Sequence, residues 1–253
     1  MERVKKYLLI MVLTFSIAAA FILADLHKSS LVTESDDSLQ TRVERDLPFK
    51  QGEKVSYKVK FSGIYVGDVN WEYLGRANVG DKLTDIISLS SDIKILKLFS
   101  IKSKEKLFID AQTYLPQKIE REVNFLGKHE SITEEYNQEE GYVKISNVGP
   151  KGRKEEIIRL EGPIHNAIAL FYFHPKEREL NLGETSYFTL PTQEISVKVS
   201  TLEMLDTAMG EYEAYVLKGK PRNFKLWLEK EKRIPLRLEF PVFLGKIVIS
   251  RVD

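Results

Sequence analysis

The chain has 253 residues, 43% hydrophobic and 30% charged: enough for one large domain or two small ones, and too apolar for a disordered protein. Lysine and arginine exceed aspartate and glutamate by one, so no global field draws the chain to nucleic acid. Cysteine is absent, which excludes disulfides, thiolate metal sites, a thiol nucleophile and a lipidated cysteine.

In chain order, Arg3, Lys5 and Lys6 precede an unbroken apolar run from Tyr7 to Ala24. A basic flank followed by an apolar stretch is the pattern of an export signal. Cleavage after the small residues Ala18 and Ala20 leaves a signal core of ordinary length, whereas Phe21, Ile22 and Leu23 extend the run to about the minimum for a membrane span. Residues 1–24 are therefore read as a signal peptide or a retained anchor. Either implies an exported protein of the periplasm or cell envelope, soluble or tethered to the inner membrane; a buried core helix suits the basic flank less well. Residues 25–46 hold too few apolar side chains to offset the entropy of ordering and read as a flexible polar linker.

The remainder, 47–253, reads as a single β-rich domain. After Gly52-Glu53, residues Val55, Tyr57, Val59 and Phe61 alternate with polar neighbours, the pattern of a half-buried strand. Val69, Trp71 and Tyr73 alternate in the same way, with Gly75 to Gly80 as the next turn or loop. Strand patterns continue at 83–90, 93–101, 106–109, 118–123, 130–136 and 142–146, and again at 187–190, 195–201, 212–217, 225–228, 236–240 and 246–252. Short polar spacers between them predict an antiparallel meander. One segment differs: Ile164, Ala167, Ile168 and Phe171 sit at helical spacing between Gly162 and Pro175, with Pro163 suited to a first turn.

Three short stretches occur twice. Leu107 to Glu120 and Leu226 to Glu239 share an aromatic, a carboxylate, an aliphatic-Pro pair and a closing Glu; Phe125-Leu126-Gly127-Lys128 recurs at 243–246; Gly52-Glu53 recurs as Gly183-Glu184. Duplication and convergence on one way of turning a wide strand both account for the echo. The stretches GEKVSYKVKFSGIYVGD, FIDAQTYLPQKIE, GPIHNAIALFYF, LNLGETSYFTL, MGEYEAYVL and LWLEKEKRIPLRLE resemble, in order and spacing, a family of bacterial exported proteins catalogued as a domain of unknown function. The resemblance covers about 49–253. That family's helix often begins Asp-Pro where Gly162-Pro163 stands here, which removes a side-chain N-cap. The acid-turn-Pro hairpin also resembles, more distantly, one in periplasmic lipoprotein carriers, which implies a half-barrel whose apolar concave face receives acyl chains.

Catalytic patterns are scarce. The four histidines, His27, His129, His165 and His174, fall in no metal-ligand spacing, no serine sits in a nucleophile elbow, and Gly75 to Gly80 lacks the Lys-Ser/Thr of a phosphate loop. Asp110 and Glu229, paired by the echo, are explained more simply as turn formers than as a glycosidase pair. No cofactor or metal is expected. Lys151, Arg153 and Lys154 read as a basic loop.

Two binding features remain. Lys94, Lys97, Lys102 and Lys104 interleave with Leu98, Phe99 and other apolar residues, a mix suited to an anionic lipid surface or to protecting an edge strand. Ile168, Phe171 and Tyr172 carry more apolar bulk than one helix face needs, and form a candidate pocket wall opposite Trp71, Tyr73 and Trp227. The expected architecture is mainly β: a wide, curved antiparallel sheet, half-barrel-like, with one covering helix and an N-terminal signal or anchor helix. The expected role is non-enzymatic, holding a lipid or acyl chain between helix and sheet. The alternatives are an envelope interaction module without a cavity, and a hydrolase of envelope polysaccharide.

Overall fold

A computed structural model of the protein describes residues 49–95, 99–172, 179–242 and 245–253. The expected leader and linker lie outside these residues. Eight strands come first: β1 (Lys54–Phe61), β2 (Ile64–Val79), β3 (Lys82–Ile95), β4 (Phe99–Asp110), β5 (Pro116–Phe125), β6 (Lys128–Asn137), β7 (Tyr142–Gly149) and β8 (Gly152–Arg159). A short helix, α1 (Ala167–Tyr172), precedes six more: β9 (Thr185–Leu190), β10 (Gln193–Thr207), β11 (Gly210–Lys220), β12 (Phe224–Glu229), β13 (Pro235–Val242) and β14 (Gly245–Arg251).

All fourteen strands form one antiparallel sheet in the order β8-β7-β6-β5-β4-β3-β2-β1-β14-β13-β12-β11-β10-β9. Each half is a meander, and the β1–β14 pairing, Tyr57 opposite Arg251 through Phe61 opposite Ile247, joins chain start to chain end. The sheet is curved and unclosed, with β8 and β9 as its edges. So broad a sheet has to curl to bury one face. Strand alternation then sends Val55, Tyr57, Trp71, Ile87, Leu107, Ile119 and Leu228 inward into one core with the helix.

Three sequence expectations change. The helix begins at Ala167 rather than in the first turn after Gly162. Gln138 holds both the N–H and the carbonyl of Ile164, and Ile164 bridges Thr189 in parallel, so this stretch is extended. Asn166 caps the helix instead, its Oδ1 accepting from the N–H of Ile168 at 2.9 Å. The basic loop at 151–154 is a hairpin tip leading into β8, whose charged, exposed sequence carries no alternating pattern. The strand expected at 93–101 is the end of β3 and the start of β4, with a connection that holds no Gly, Pro or Asn to mark it.

Two of the three repeated stretches turn out to be repeated geometry. In both Pro hairpins the acid's N–H donates five residues ahead (Asp110 to Leu115 O at 2.9 Å, Glu229 to Ile234 O at 3.0 Å). In both, its carbonyl accepts from a residue of positive φ, Tyr114 (54°) or Arg233 (56°). A bulge precedes each, between Phe108 and Ile109 and between Trp227 and Leu228. At the Gly-Glu turns, Gly52 donates to Tyr73 O and Gly183 to Val199 O, both at 2.8 Å, and each acceptor residue is followed by a bulge. The units β1–β6 and β9–β14 therefore repeat one another in these turns and bulges, while the bulge in the β1–β2 pairing at Val59 and Lys60 has no counterpart between β9 and β10.

Candidate functional site

The concave face of β1, β2, β12 and β13 meets the helix in an aromatic cluster. Trp71 is fully buried and stacks on Tyr172 with centroids 5.0 Å apart and planes 12° apart; Phe49 lies 4.3 Å from Trp71. The Tyr172 hydroxyl donates to Tyr57 at 3.0 Å, and the Tyr57 hydroxyl donates to the carbonyl of Pro235 at 3.1 Å. Burial raises both phenols above their ordinary pKa, so the pair stays neutral. Phe171 meets Phe224 edge-on at 5.7 Å, and Tyr73 donates to Asp85, which Arg76 clamps with two hydrogen bonds of 2.9 and 3.0 Å.

Of the proposed pocket residues, Trp71, Tyr73, Ile168, Phe171 and Tyr172 are thus brought together, as packed core. Trp227 is not among them. Phe224, Leu226 and Leu228 take the inward positions of β12, so Trp227 projects from the opposite face into a second cluster with Leu205, Ala214, Val216 and Leu236. There its Nε1 donates to Glu203 at 2.8 Å and Arg237 lies over its ring. Leu98 and the Phe99 side chain fall outside the described residues.

The inward face of the neighbouring strands holds what the sequence reading missed. Glu105 of β4, Arg121 of β5 and Glu134 of β6 are each buried, with side chains at most 3% exposed. Arg121 Nη1 donates to Glu134 Oε1 at 3.2 Å, and the Tyr136 hydroxyl donates to Glu134 Oε2 at 2.6 Å. Arg121 Nε lies 3.0 Å from Glu105 Oε2 but off the hydrogen-bonding line, and Arg121 Nη2 has no acceptor. Burial works against the guanidinium charge, yet Glu105 and Glu134 more than offset it and raise its pKa. The repeat supplies a comparison: counted back and forward from the shared acid-Pro geometry of each hairpin, Glu105 and Arg121 stand where the second half has Phe224 and Phe240. Inward parity alone, together with that alignment, was the signal available.

The remaining candidates lie apart. Asp110 and Glu229 each serve their own hairpin. Partial burial pushes the Asp110 carboxyl up, but the N–H groups of Thr113 and Gln112 and the amide of Gln117 outweigh it and hold it below its ordinary range. At Glu229 burial is the largest influence and holds the carboxyl above its usual range, although the charge and backbone N–H of Lys232 pull it down. Among the described residues, no group of three His, Asp or Glu side chains is placed to hold a metal ion. Lys94, Lys102 and Lys104 are exposed, Lys102 with Asp92 at 3.0 Å, while Lys97 falls outside the described residues. Their strands β3 and β4 lie well inside the sheet, so edge protection does not account for them.

The family described as Protein of unknown function (DUF3108) matches residues 56–251. The chain belongs to that family. No curated protein matches it. Among solved structures, the β-barrel-like DUF1849 protein of Brucella abortus superposes with a TM-score of 0.51 at 11% identity, over 79% of this chain and 95% of that one. A candidate exported protein of YmcC-like fold from Bacteroides fragilis aligns at TM-score 0.37 and 8% identity, over 82% of this chain and 97% of that one. The first likeness establishes a shared β-barrel-like fold for this DUF3108 member.

Proposed function

We propose that the domain is a non-enzymatic docking module of the cell envelope, which works through its outer surface and its ends around a solid interior. The observation that carries this is the packing of α1. All six of its residues are buried, Tyr172 lies flat on Trp71, and Phe171 is seated against Phe224, so helix and sheet occupy the space that a ligand between them needs. The basic flank and apolar run of residues 1–24 support placement in the envelope. The test is to express 47–253 in a bacterial periplasm, purify it without detergent and extract it with organic solvent. Mass spectrometry of a clean extract supports the docking module; a stoichiometric lipid overturns it.

A second reading has its own observation. Arg121 Nη2 and Trp71 Nε1 are buried donors on the concave face without acceptors, and such groups are rare in native interiors. Two carboxylates already face one guanidinium, so the ligand suited to them has an apolar chain and a neutral acceptor, such as an ester carbonyl, rather than a phosphate. Replacing Glu105, Arg121 and Glu134 together by Met, Met and Leu tests it. On this reading the folded triple variant loses a lipid that the parent retains.

A further inference from the structure

We infer that the end of the sheet carrying the β1–β2, β5–β6 and β7–β8 hairpins docks on an anionic lipid bilayer. This rests on the docking reading above and names its partner. In an antiparallel meander alternate connections fall at the same end, and the antiparallel β1–β14 pairing keeps the two halves in phase. The connections at 62–63, 126–127, 150–151, 191–192 and 221–223 therefore share one end with the facing ends of β3, β4, β13 and β14. Those at 80–81, 111–115, 138–141, 208–209 and 230–234 share the other.

Charge is segregated between these ends. Among the described residues in or within two positions of the connections at the first end, nine are Lys or Arg and one, Glu194, is a carboxylate. The same count at the second end gives four Lys or Arg against eight carboxylates. A chain of net charge +1 does not produce that by composition. Lys60, Lys94, Lys128, Lys151 and Lys220 are exposed, and among the described residues no carboxylate lies within ion-pair distance of them, so no described salt bridge consumes them.

Apolar side chains project from the same end. Ile64 is 64% exposed, Tyr65 52% and Leu126 51%, on two hairpins separated by β3 and β4. A soluble polyanion gains from the lysines alone. A bilayer gains from both, because headgroups attract the lysines and the boundary beneath them takes up the aliphatic tips. Separate tips standing beside their own lysines match a plane better than a pocket.

The described core and every strand partner lie at or beyond Phe49, so residues 47–253 carry the fold and are used for the test. Vesicles of phosphatidylcholine, with or without phosphatidylglycerol, are mixed with that protein and sedimented. Binding is expected only with phosphatidylglycerol and falls with added salt. Each lysine near the surface contributes about fivefold, so Lys128→Glu, Lys151→Glu and Lys220→Glu together weaken binding by about a hundredfold or more. Ile64→Asp with Leu126→Asp also weakens it, while Lys82→Glu with Lys232→Glu at the opposite end leaves it unchanged. Unfolding midpoints confirm that each variant folds. Equal binding to neutral vesicles, or triple-variant binding equal to the parent's, overturns the inference. Heparin binding as tight as vesicle binding, with vesicle binding indifferent to Ile64 and Leu126, overturns it in favour of a polyanion site. A clean extract without vesicle binding removes the bilayer and leaves the docking module; an extracted lipid removes the module itself.

Discussion

Arg121 holds two buried carboxylates apart, and its removal leaves both uncompensated. Arg121→Met is expected to cost about 3–5 kcal/mol in denaturant unfolding, whereas the triple replacement with apolar residues restores most of that, since a buried ion cluster seldom outperforms packed apolar side chains. If the single and triple variants lose the same stability, Arg121 is not the keystone of the cluster. The two hairpin acids part in the other direction. The folded pKa of Asp110 lies below its unfolded value, so its contribution is present above the unfolded pKa and is lost as pH falls through the folded one. Glu229 has a raised folded pKa, so its contribution is present below the unfolded pKa and is lost as pH rises through the folded one. Asp110→Asn should therefore destabilise at neutral pH and lose that effect in acid. Glu229→Gln should relieve a penalty at neutral pH that is missing in acid. Urea midpoints at both pH values decide it, and matching profiles for the two variants would refute the assignment. The sequence shows both acids as a pair, but not that hydrogen bonds outweigh burial at Asp110 while burial prevails at Glu229.

Strand alternation was legible where it is half-buried, as in Val55, Tyr57 and Val59, because period two follows directly from one solvated face. It fails for Trp227, where both faces of β12 are covered and a bulge follows, so that Trp227, Leu228 and Glu229 are buried in succession. It fails again for β8, whose charged sequence folds because β7 pairs along its whole length. The helix was legible as a helix but not in its start, since Gln138, in the turn after β6, holds Ile164 in an extended bridge to Thr189. Asn166 then sets the start. Asn166→Ala should cost about 1 kcal/mol through the lost cap, read from thermal unfolding. Gly219 places a second constraint on the cluster: a Cβ there falls 2.0 Å from the Phe224 ring. Gly219→Ala should cost about 1–3 kcal/mol by displacing the ring that Phe171 packs against. Pairing it with Phe224→Leu, which vacates the space, should recover part of the loss; no recovery would place the cost in the strand backbone instead.

Two six-stranded units with matching turns, bulges and hairpins suggest two bodies, yet the core argues for one. Tyr172 packs on Trp71 and Tyr57 from the first unit while the adjacent Phe171 packs on Phe224 from the second, and β1 pairs with β14 across the seam. The six described helical residues span about 9 Å against a sheet about 65 Å wide if laid flat, so they touch both units only because the sheet curls around them. Neither unit closes its own hydrophobic face without the helix and the other unit's edge, and an unpaired β1 or β14 is an open template for aggregation. Calorimetry of residues 47–253 should therefore show a single transition with equal calorimetric and van't Hoff enthalpies. Phe171→Ala should lower that transition as a whole, by about 3–5 kcal/mol in stability, without splitting it. Two resolved transitions, with only the one carrying Phe224 shifted by the substitution, would mean that each repeat folds alone and that the helix belongs to the second.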